Sequence, residues 1–502
     1  MSTNVSKQKR KELTEKVKAI HKYIAATKQD ENTRNMLAWL SDIEKEINAK
    51  KFGLAFEEHR EAIDETLETH TPVLSENKKL FIDNGGQVNF LIEGDNLAAL
   101  QLLLKTHKGK IDVIYIDPPY NTGAKNWKYD NNYVDSNDLF RHSKWLSFMT
   151  KRLKIAKKLL KKNGALICAI DENEQKHLGI TLEDIFGDYY TFDCITVVHN
   201  PGGIQGANFS YCHEFVYFVY PRQSNYINKE KRNDNDLTPF RDWGKENSKR
   251  IGAPNCFYPI VIDGKKIVEI GDIPDDDFHP KAANVKRKNL IYVYPIDNNG
   301  IERRWRFSRD SVNSIVDELV VVNIDNIYNI QRNKQHYIRK TVWDNSKFNA
   351  NIYGTQLLSK YINGKFPFPK SLFLIMECIQ ACEKGKDITV LDFFAGSGTT
   401  GHAVMQLNKQ DDGKRNYILC TNNENNICLD ITYDRINQAI KKDNFFESLK
   451  YYKIDYIPIS EKLYYEYADE LLKHIRELVE LENGINFLGN DKIAIVLTDE
   501  EL

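Results

Sequence analysis

The sequence predicts an α/β protein: a mixed, mainly parallel sheet with helices, a helical N-terminal region and an inserted α+β segment. Three observations carry that reading. From about residue 88, short apolar strands alternate with amphipathic helices, the pattern of a parallel sheet covered on its faces. Between Arg222 and Lys340 the rhythm gives way to short strand-like runs among Asn, Asp, Gly and Pro, and it resumes at Ile388. Residues 7–50 instead place Leu13, Val17, Ile20 and Ile24, then Leu37, Leu40, Ile43 and Ile47, at helical spacing around a polar break at Lys28 to Thr33. That is a helical hairpin. The basic run Lys7 to Lys11 reads as its solvated start.

Composition narrows the function classes. A chain of 502 residues holds two to four structural units. Its 70 basic residues against 71 acidic ones exclude a uniformly cationic coat, so any nucleic-acid contact must use a local basic face. The absence of an apolar run near 18 residues, and a Lys-rich start without an apolar core, lead us to expect a soluble cytoplasmic protein. Eight scattered cysteines with no C-x-x-C read as a reduced protein, with Cys378 and Cys382 in the core and no metal signature.

Strands are expected at Phe90 to Ile92, Val113 to Ile116, Ala165 to Ile170, Ile195 to Val198 and Phe215 to Val219. The longest helix is expected over Phe140 to Leu160, with a stripe of Trp145, Phe148, Leu153, Ala156 and Leu160. The second strand runs into Asp117, Pro118, Pro119 and Tyr120. Prolines cannot donate to a ladder, so the chain must leave the sheet there as a stiff turn. Asp95 and the pair Asp171–Glu172 follow the first and third strands. A helix cap accounts for any one of these acids; their repetition at strand ends favours a site, because open α/β sheets bind ligands at that edge.

In the irregular insert, 22 Lys and Arg stand against 17 Asp and Glu. Lys286, Arg287 and Lys288, with Arg303, Arg304 and Arg306 around Trp305, concentrate the surplus. That mixture suits phosphate contact with some base-edge reading, the alternative being a solvated β subdomain. Lys266 to Ile270, Leu290 to Val293 and Trp305 to Phe307 are its expected strands.

The resumed pattern has a strand at Ile388 to Phe393 and then Phe394, Ala395, Gly396, Ser397, Gly398, Thr399 and Thr400 before a helix. Glycines there admit a ligand close to the backbone, and the helix start favours its anionic part. The next strand, Tyr417 to Cys420, leads to Glu424, 26 positions beyond Gly398 and placed to accept from a ribose hydroxyl pair. This half reads as an adenosine site.

Asp117-Pro118-Pro119-Tyr120 together with Phe394 to Gly398 resembles the S-adenosylmethionine-dependent amino-methyltransferases of DNA. The order, acidic motif before glycines with an insert between, is similar to the circularly permuted beta group. Gly53 to His59, Ile92 to Leu97, Asp117 to Gly123 and Arg141 to Leu146 resemble the modification subunit of type III restriction systems, over most of residues 50–440. The resemblance implies a Rossmann-like methyltransferase domain with a seven-stranded sheet in two halves, 76–221 and 346–445. Around these it implies a helical region 1–75, a target-recognition domain 222–345 and an acidic C-terminal region 446–502.

It further implies methyl transfer to adenine N6 in double-stranded DNA. Asp117 and the Pro118 carbonyl would hold the amino group, Pro119 would stiffen the turn and Tyr120 would stack on the flipped base. Asn121 and Trp127 would wall the pocket. S-adenosylmethionine would lie on Phe394, Ala395, Gly396, Ser397, Gly398 and Thr399, with Asp392 near its amino group, Glu424 on the ribose and Asp95 on the adenine. Phe366 to Leu372 resembles the segment closing the methionine pocket and brings in Phe368 and Lys370, although Ser371 stands where the family commonly has proline. The acid at 117 favours adenine, since relatives acting on cytosine N4 usually carry Ser or Thr there. A homodimer and a restriction subunit are the expected partners, and the location expected is the cytoplasm, on nucleoid DNA. A cytosine-N4 DNA methyltransferase, an RNA methyltransferase, a catalytically dead DNA-binding protein and a nucleotide-dependent oxidoreductase are the alternatives.

Beyond residue 440, Leu471, Ile475, Leu478 and Leu481 predict a helix and Ile493 to Leu497 a strand. From Ile454 onward 4 basic residues face 12 acidic ones, which suits a subunit contact or a solvated surface better than DNA. Modification subunits often continue farther, so a shorter stand-alone relative or a shortened chain is expected.

Overall fold

The computed structural model describes residues 5–28, 30–48, 56–129, 132–205, 208–231, 237–244, 246–324, 326–363, 366–459, 464–487 and 496. They form two compact units, one of residues 1–223, 342–379 and 384–502, the other of 224–341 with 380–383.

The larger unit is organised on one sheet. Its strands are β1 (His70–Glu76), β2 (Gln87–Glu93), β3 (Ile111–Ile116), β4 (Leu160–Ile170), β5 (Tyr190–Val198), β6 (His213–Pro221), β7 (Val342–Trp343), β8 (Thr389–Asp392), β9 (Asn416–Thr421) and β10 (Glu447–Pro458). They lie in the order β1-β10-β2-β9-β8-β3-β4-β6-β5-β7. From β2 to β4 every neighbour is parallel, and β6 is antiparallel to both β4 and β5. The expected seven strands are the run from β2 to β5; β1 and β10 extend one side and β7 the other. Strands β3 and β8, far apart in sequence, pair with Val113 opposite Val390 and Ile114 opposite Leu391. The Asp112 carboxylate staples them by accepting the Thr389 N–H at 2.9 Å.

Helix Arg141–Leu159 buries Trp145, Leu146, Met149, Leu153 and Ala156 against the sheet, matching the predicted stripe except that Phe148 is half-buried and Leu160 starts β4. The N-terminal hairpin is Val5–Ala25 and Glu31–Asn48. Asp30 starts its second helix: its carboxylate accepts from Thr33 N at 2.8 Å while Thr33 Oγ1 accepts from Asp30 N at 2.7 Å, a reciprocal cap. Cys378 and Cys382 are buried in helix Leu372–Cys382.

Strands β1 and β10 have no clean apolar signal, because β10 carries Lys450 at its centre. Lys450 is fully buried, with Nζ 2.6 Å from Glu480 and 3.1 Å from Glu76. Tyr452 donates to the same Glu480 at 2.8 Å. Glu480 belongs to helix Ile475–Asn483, which also buries Leu481. Part of the acidic C-terminal region is therefore core and not solvated surface. The strand expected at Ile493 to Leu497 lies outside the described residues apart from Val496, which is not in a strand, as do Gly53 to Ala55 of the expected motif.

The smaller unit holds an antiparallel sheet of Lys266–Ile270, Ile260–Asp263, Leu290–Val293 and Asn284–Arg287, in that order. A second sheet joins Leu237–Pro239, Ile327–Asn333 and Leu319–Ile324. Phe240 and Trp305 stack at 5.4 Å in its core, with the Trp305 indole donating to the Tyr258 carbonyl at 2.7 Å. Trp305 is thus a core residue with an isolated bridge to Arg241, not part of the strand expected there.

Removing one partner of a buried ion pair strands the other without water. Lys450→Met should lower stability by roughly 3 kcal/mol in denaturant unfolding and strip hydrogen-exchange protection from β1 and β10. Unchanged protection would show that the pair does not hold these strands.

Candidate functional site

The carboxyl ends of β2, β9, β8, β3 and β4 form one edge of the sheet. The acidic turn and the glycine turn leave neighbouring strands on it, as at a switch point of an open α/β sheet.

The turn after β3 is pinned at both ends. The Trp145 indole donates to the Pro119 carbonyl at 2.6 Å. Asn121 adopts a left-handed backbone (φ 55°), and its buried amide donates to the Arg141 carbonyl at 3.1 Å and to Glu174 at 2.5 Å. Glu174 is itself fully buried, bridging His142 at 2.6 Å and His177 at 2.7 Å. Burial pushes its carboxyl up to about 8 and holds His142 down at about 4. These three side chains place possible metal-ligand atoms within 4.8 Å of one another, a grouping that sequence spacing did not reveal. Here they serve as hydrogen-bond anchors of the turn.

Beyond the turn lies a compact charge cluster. Lys370 reaches it from the segment before helix Leu372–Cys382, and Glu214 from the start of β6. Lys370 Nζ is 2.5 Å from Glu214 Oε2 and 3.4 Å from Asp117 Oδ1, and it also donates to the Tyr120 hydroxyl. Tyr120 donates in turn to Glu214 at 3.1 Å, with the ammonium 4.6 Å from its ring centre. Lys370 and Glu214 are buried, whereas the Asp117 side chain is 27% exposed and so can be reached. Asp117 Oδ1 and Glu214 Oε1 are buried oxygens without a well-formed hydrogen bond among the described residues, the Lys370 ammonium standing 3.4 Å from Asp117 Oδ1.

Burial, opposed by Lys370 and reinforced by Glu214, raises the Asp117 carboxyl above its ordinary value. Glu214 is pushed up by burial too, but the Lys370 ammonium outweighs this and holds it below its ordinary value. Burial would lower Lys370, yet the two carboxylates keep it raised and charged. Two carboxylates and one ammonium leave the cluster with a net charge of −1.

The glycine turn is shaped by positive φ at Gly396 (48°) and Gly398 (72°). A Cβ on Gly396 would stand 3.1 Å from the Phe366 ring, and one on Gly398 would stand 3.2 Å from Thr432. Ala395 is tied to β9 through the Cys420 carbonyl at 3.0 Å, and Asn96 donates to the Phe393 carbonyl at 3.0 Å. Phe394 stays half-buried, its ring 5.7 Å from that of Phe148.

Other expected cofactor residues have structural partners. Asp392 is buried and accepts from Phe394 N at 2.9 Å and Thr400 Oγ1 at 2.5 Å, burial pushing its carboxyl up to about 7. Ser397 and Thr399 receive the buried Arg435 guanidinium, at 3.2 and 2.6 Å, which burial lowers to about 9. Asp95 caps helix Asn96–Thr106 by accepting from Leu97 N at 2.7 Å, and Asp171 accepts from Asn173 N at 2.9 Å. The repeated strand-end acids are thus partly caps. Glu424 is exposed beyond β9, and Phe368 is 85% exposed with φ 53°, outside the cluster that its neighbour Lys370 enters.

The residues expected to meet DNA divide similarly. Asn121 is buried in the anchor, its amide engaged by Arg141 and Glu174; Trp127 lies in strand Ala124–Tyr129, its side chain outside the described residues. In the smaller unit Lys286, Arg287, Lys288 and Arg306 are exposed. Arg303 pairs with Asp297 at 2.8 Å and Arg304 with Asp242 at 3.0 Å, so both are committed within the unit. Sequence reasoning missed Glu214, Glu174 and Arg435. The one signal for Glu214 was an acid leading an otherwise apolar strand.

Residues 111–441 match the DNA methylase family of N6 and N4 type. The type II methyltransferase M.KpnI of Klebsiella pneumoniae is 34% identical over 397 residues, 72% of this chain and 90% of that protein. The EcoPI Mod subunit of Escherichia phage P1, a type III restriction-modification enzyme, is 28% identical over 389 residues, and the StyLTI Mod subunit of Salmonella typhimurium is 28% identical over 412. The chain covers 68% and 75% of itself in these two matches but 58% and 56% of the Mod subunits, so it spans little more than half their length. Matched by the family over most of its sheet and by M.KpnI over most of its length, this chain belongs to the N6/N4 DNA methylases.

Proposed function

We propose that the protein transfers a methyl group from S-adenosylmethionine to the N6 amino group of an adenine flipped out of double-stranded DNA. The observation that carries this reading is the Asp117 carboxylate: its side chain is 27% exposed, its buried Oδ1 faces the Lys370 ammonium at 3.4 Å, and it lies one strand away from the glycine turn.

The turn fits the cofactor. Gly396 and Gly398 hold the left-handed backbone that shapes the turn, and the net negative cluster suits a cationic sulfonium. Gly396, Gly398, Ala395 and Phe394 would hold its adenosyl and methionine parts, with Glu424 reaching the ribose. When bound, S-adenosylmethionine supplies an electrophilic methyl group on sulfur.

An exocyclic amine conjugated to a purine is a weak nucleophile, and its attack builds positive charge on nitrogen. Asp117 and the Pro118 carbonyl accept its two N–H bonds, align the lone pair and stabilise that charge. Tyr120, fixed by Glu214 and Lys370, offers a face on which the extruded base stacks. Lys286, Arg287, Lys288 and Arg306 would contact phosphates. The acid at 117 favours adenine over cytosine. The names of the relatives support a modification enzyme of a restriction system; action in the cytoplasm on nucleoid DNA, as a homodimer or with a restriction subunit, is part of the same proposal.

Asp117→Ala should retain cofactor binding by calorimetry while methyl transfer to duplex DNA falls by roughly 10²–10³-fold, the scale of a lost charge-stabilising contact. Undiminished transfer would sink the mechanism. The pH profile has a definite sign. Asp117 must be ionised to accept, and its pKa is raised, so activity should fall with decreasing pH through an acid limb above 3.8, the value of an ordinary aspartate. Asp117→Ala should remove that limb from the residual rate.

A further inference from the structure

Glu214 is buried, leads strand β6, and makes closer contact with Lys370 than Asp117 does: 2.5 Å against 3.4 Å. We propose that Glu214 is a positioning residue that holds the Lys370 ammonium off Asp117, leaving that carboxylate open to the target amino group. The inference rests on the proposed methyl transfer at Asp117.

A lysine buried beside the acceptor is a hazard to this reaction, because a second positive charge develops on the target nitrogen and like charges repel in a poorly screened site. With Glu214 present the cluster keeps a net charge of −1 and favours the cation. Without it, Lys370 has Asp117 as its nearest carboxylate, and the resulting neutral pair offers neither a free acceptor nor a stabilising charge. The same Glu214 oxygen also accepts from Tyr120, so it sets the angle of the expected stacking ring. Around this cluster stand Tyr115, Tyr120, Cys168, Asp171, His199 and Asp392 as the other titratable groups coupled to Asp117, Glu214 or Lys370.

The test compares Glu214→Gln, which keeps shape and removes charge, with Glu214→Gln/Lys370→Met, which also removes the ammonium and restores the net charge of −1. Single-turnover methylation of duplex DNA is measured with S-adenosylmethionine saturating each variant, as verified by calorimetry. The Asp117 carboxyl is titrated by carbon-13 NMR in the protein without ligand. Glu214→Gln removes a like charge and gives Asp117 the undivided lysine, so the Asp117 titration should move to lower pH and the rate should fall at least about 10-fold. The double variant should recover a clear part of that loss, as a merely structural glutamate would not.

A wild-type rate in Glu214→Gln, an unmoved Asp117 titration, or a double variant no faster than the single one would overturn the proposal. If the wild-type protein methylates no DNA, the methyl-transfer reading fails. The titration still reports whether Glu214 governs the Asp117–Lys370 pair.

Discussion

Everything functional in this chain depends on one adjacency, the parallel pairing of β3 with β8. Asp112 and Thr389, 277 positions apart, are joined by a hydrogen bond at the start of those strands, and both strands then run to the same sheet edge. One releases the Asp-Pro-Pro-Tyr turn and the other the glycine turn. A methyl donor and an acceptor must meet in line within a few ångströms, and side-by-side strands supply that proximity before any ligand arrives. The order of the two motifs along the chain is immaterial to that geometry, which is why a permuted sequence builds the same site.

The site also shows how buried charge can serve two ends. Arg152 with Glu61 at 3.0 Å is a compensated pair, and Lys450 between Glu76 and Glu480 is one ammonium shared by two carboxylates; both fix elements in place. The Glu174 anchor holds the turn from behind through Asn121. The cluster of Asp117, Glu214 and Lys370 carries the same one negative charge in excess but differs in lying where the Asp117 side chain is 27% exposed, against 6% for Glu76 and 1% for Glu480. Such an imbalance costs stability in the resting protein and is returned when a cation or amine enters.

Much of this was legible in the sequence. Apolar runs such as Ile111–Ile116 and Asn416–Thr421 sit at the buried centre of the sheet, where period and side-chain type leave little choice. The two turns were legible because proline and glycine restrict or free the backbone locally. What escaped reading depends on distant partners. Strand β10 hides behind Lys450, whose burial makes sense only once Glu480 is beside it. Asp95 and Asp171 look alike as strand-end acids, yet their oxygens are engaged by nearby N–H groups. Asn121, Arg303 and Arg304 carry the right chemistry for DNA but find partners inside the fold. Glu214 could not be read from its neighbours in sequence, because its role is set by a lysine 156 positions away.

The central claim, that the accessible Asp117 edge receives an adenine amino group, is tested most directly by the chemical product. Duplex DNA of mixed sequence, incubated with the purified protein and methyl-labelled S-adenosylmethionine, is digested to nucleosides and analysed by mass spectrometry. The account predicts label in N6-methyladenine alone. Label in N4-methylcytosine, or RNA labelled in place of DNA, would contradict it.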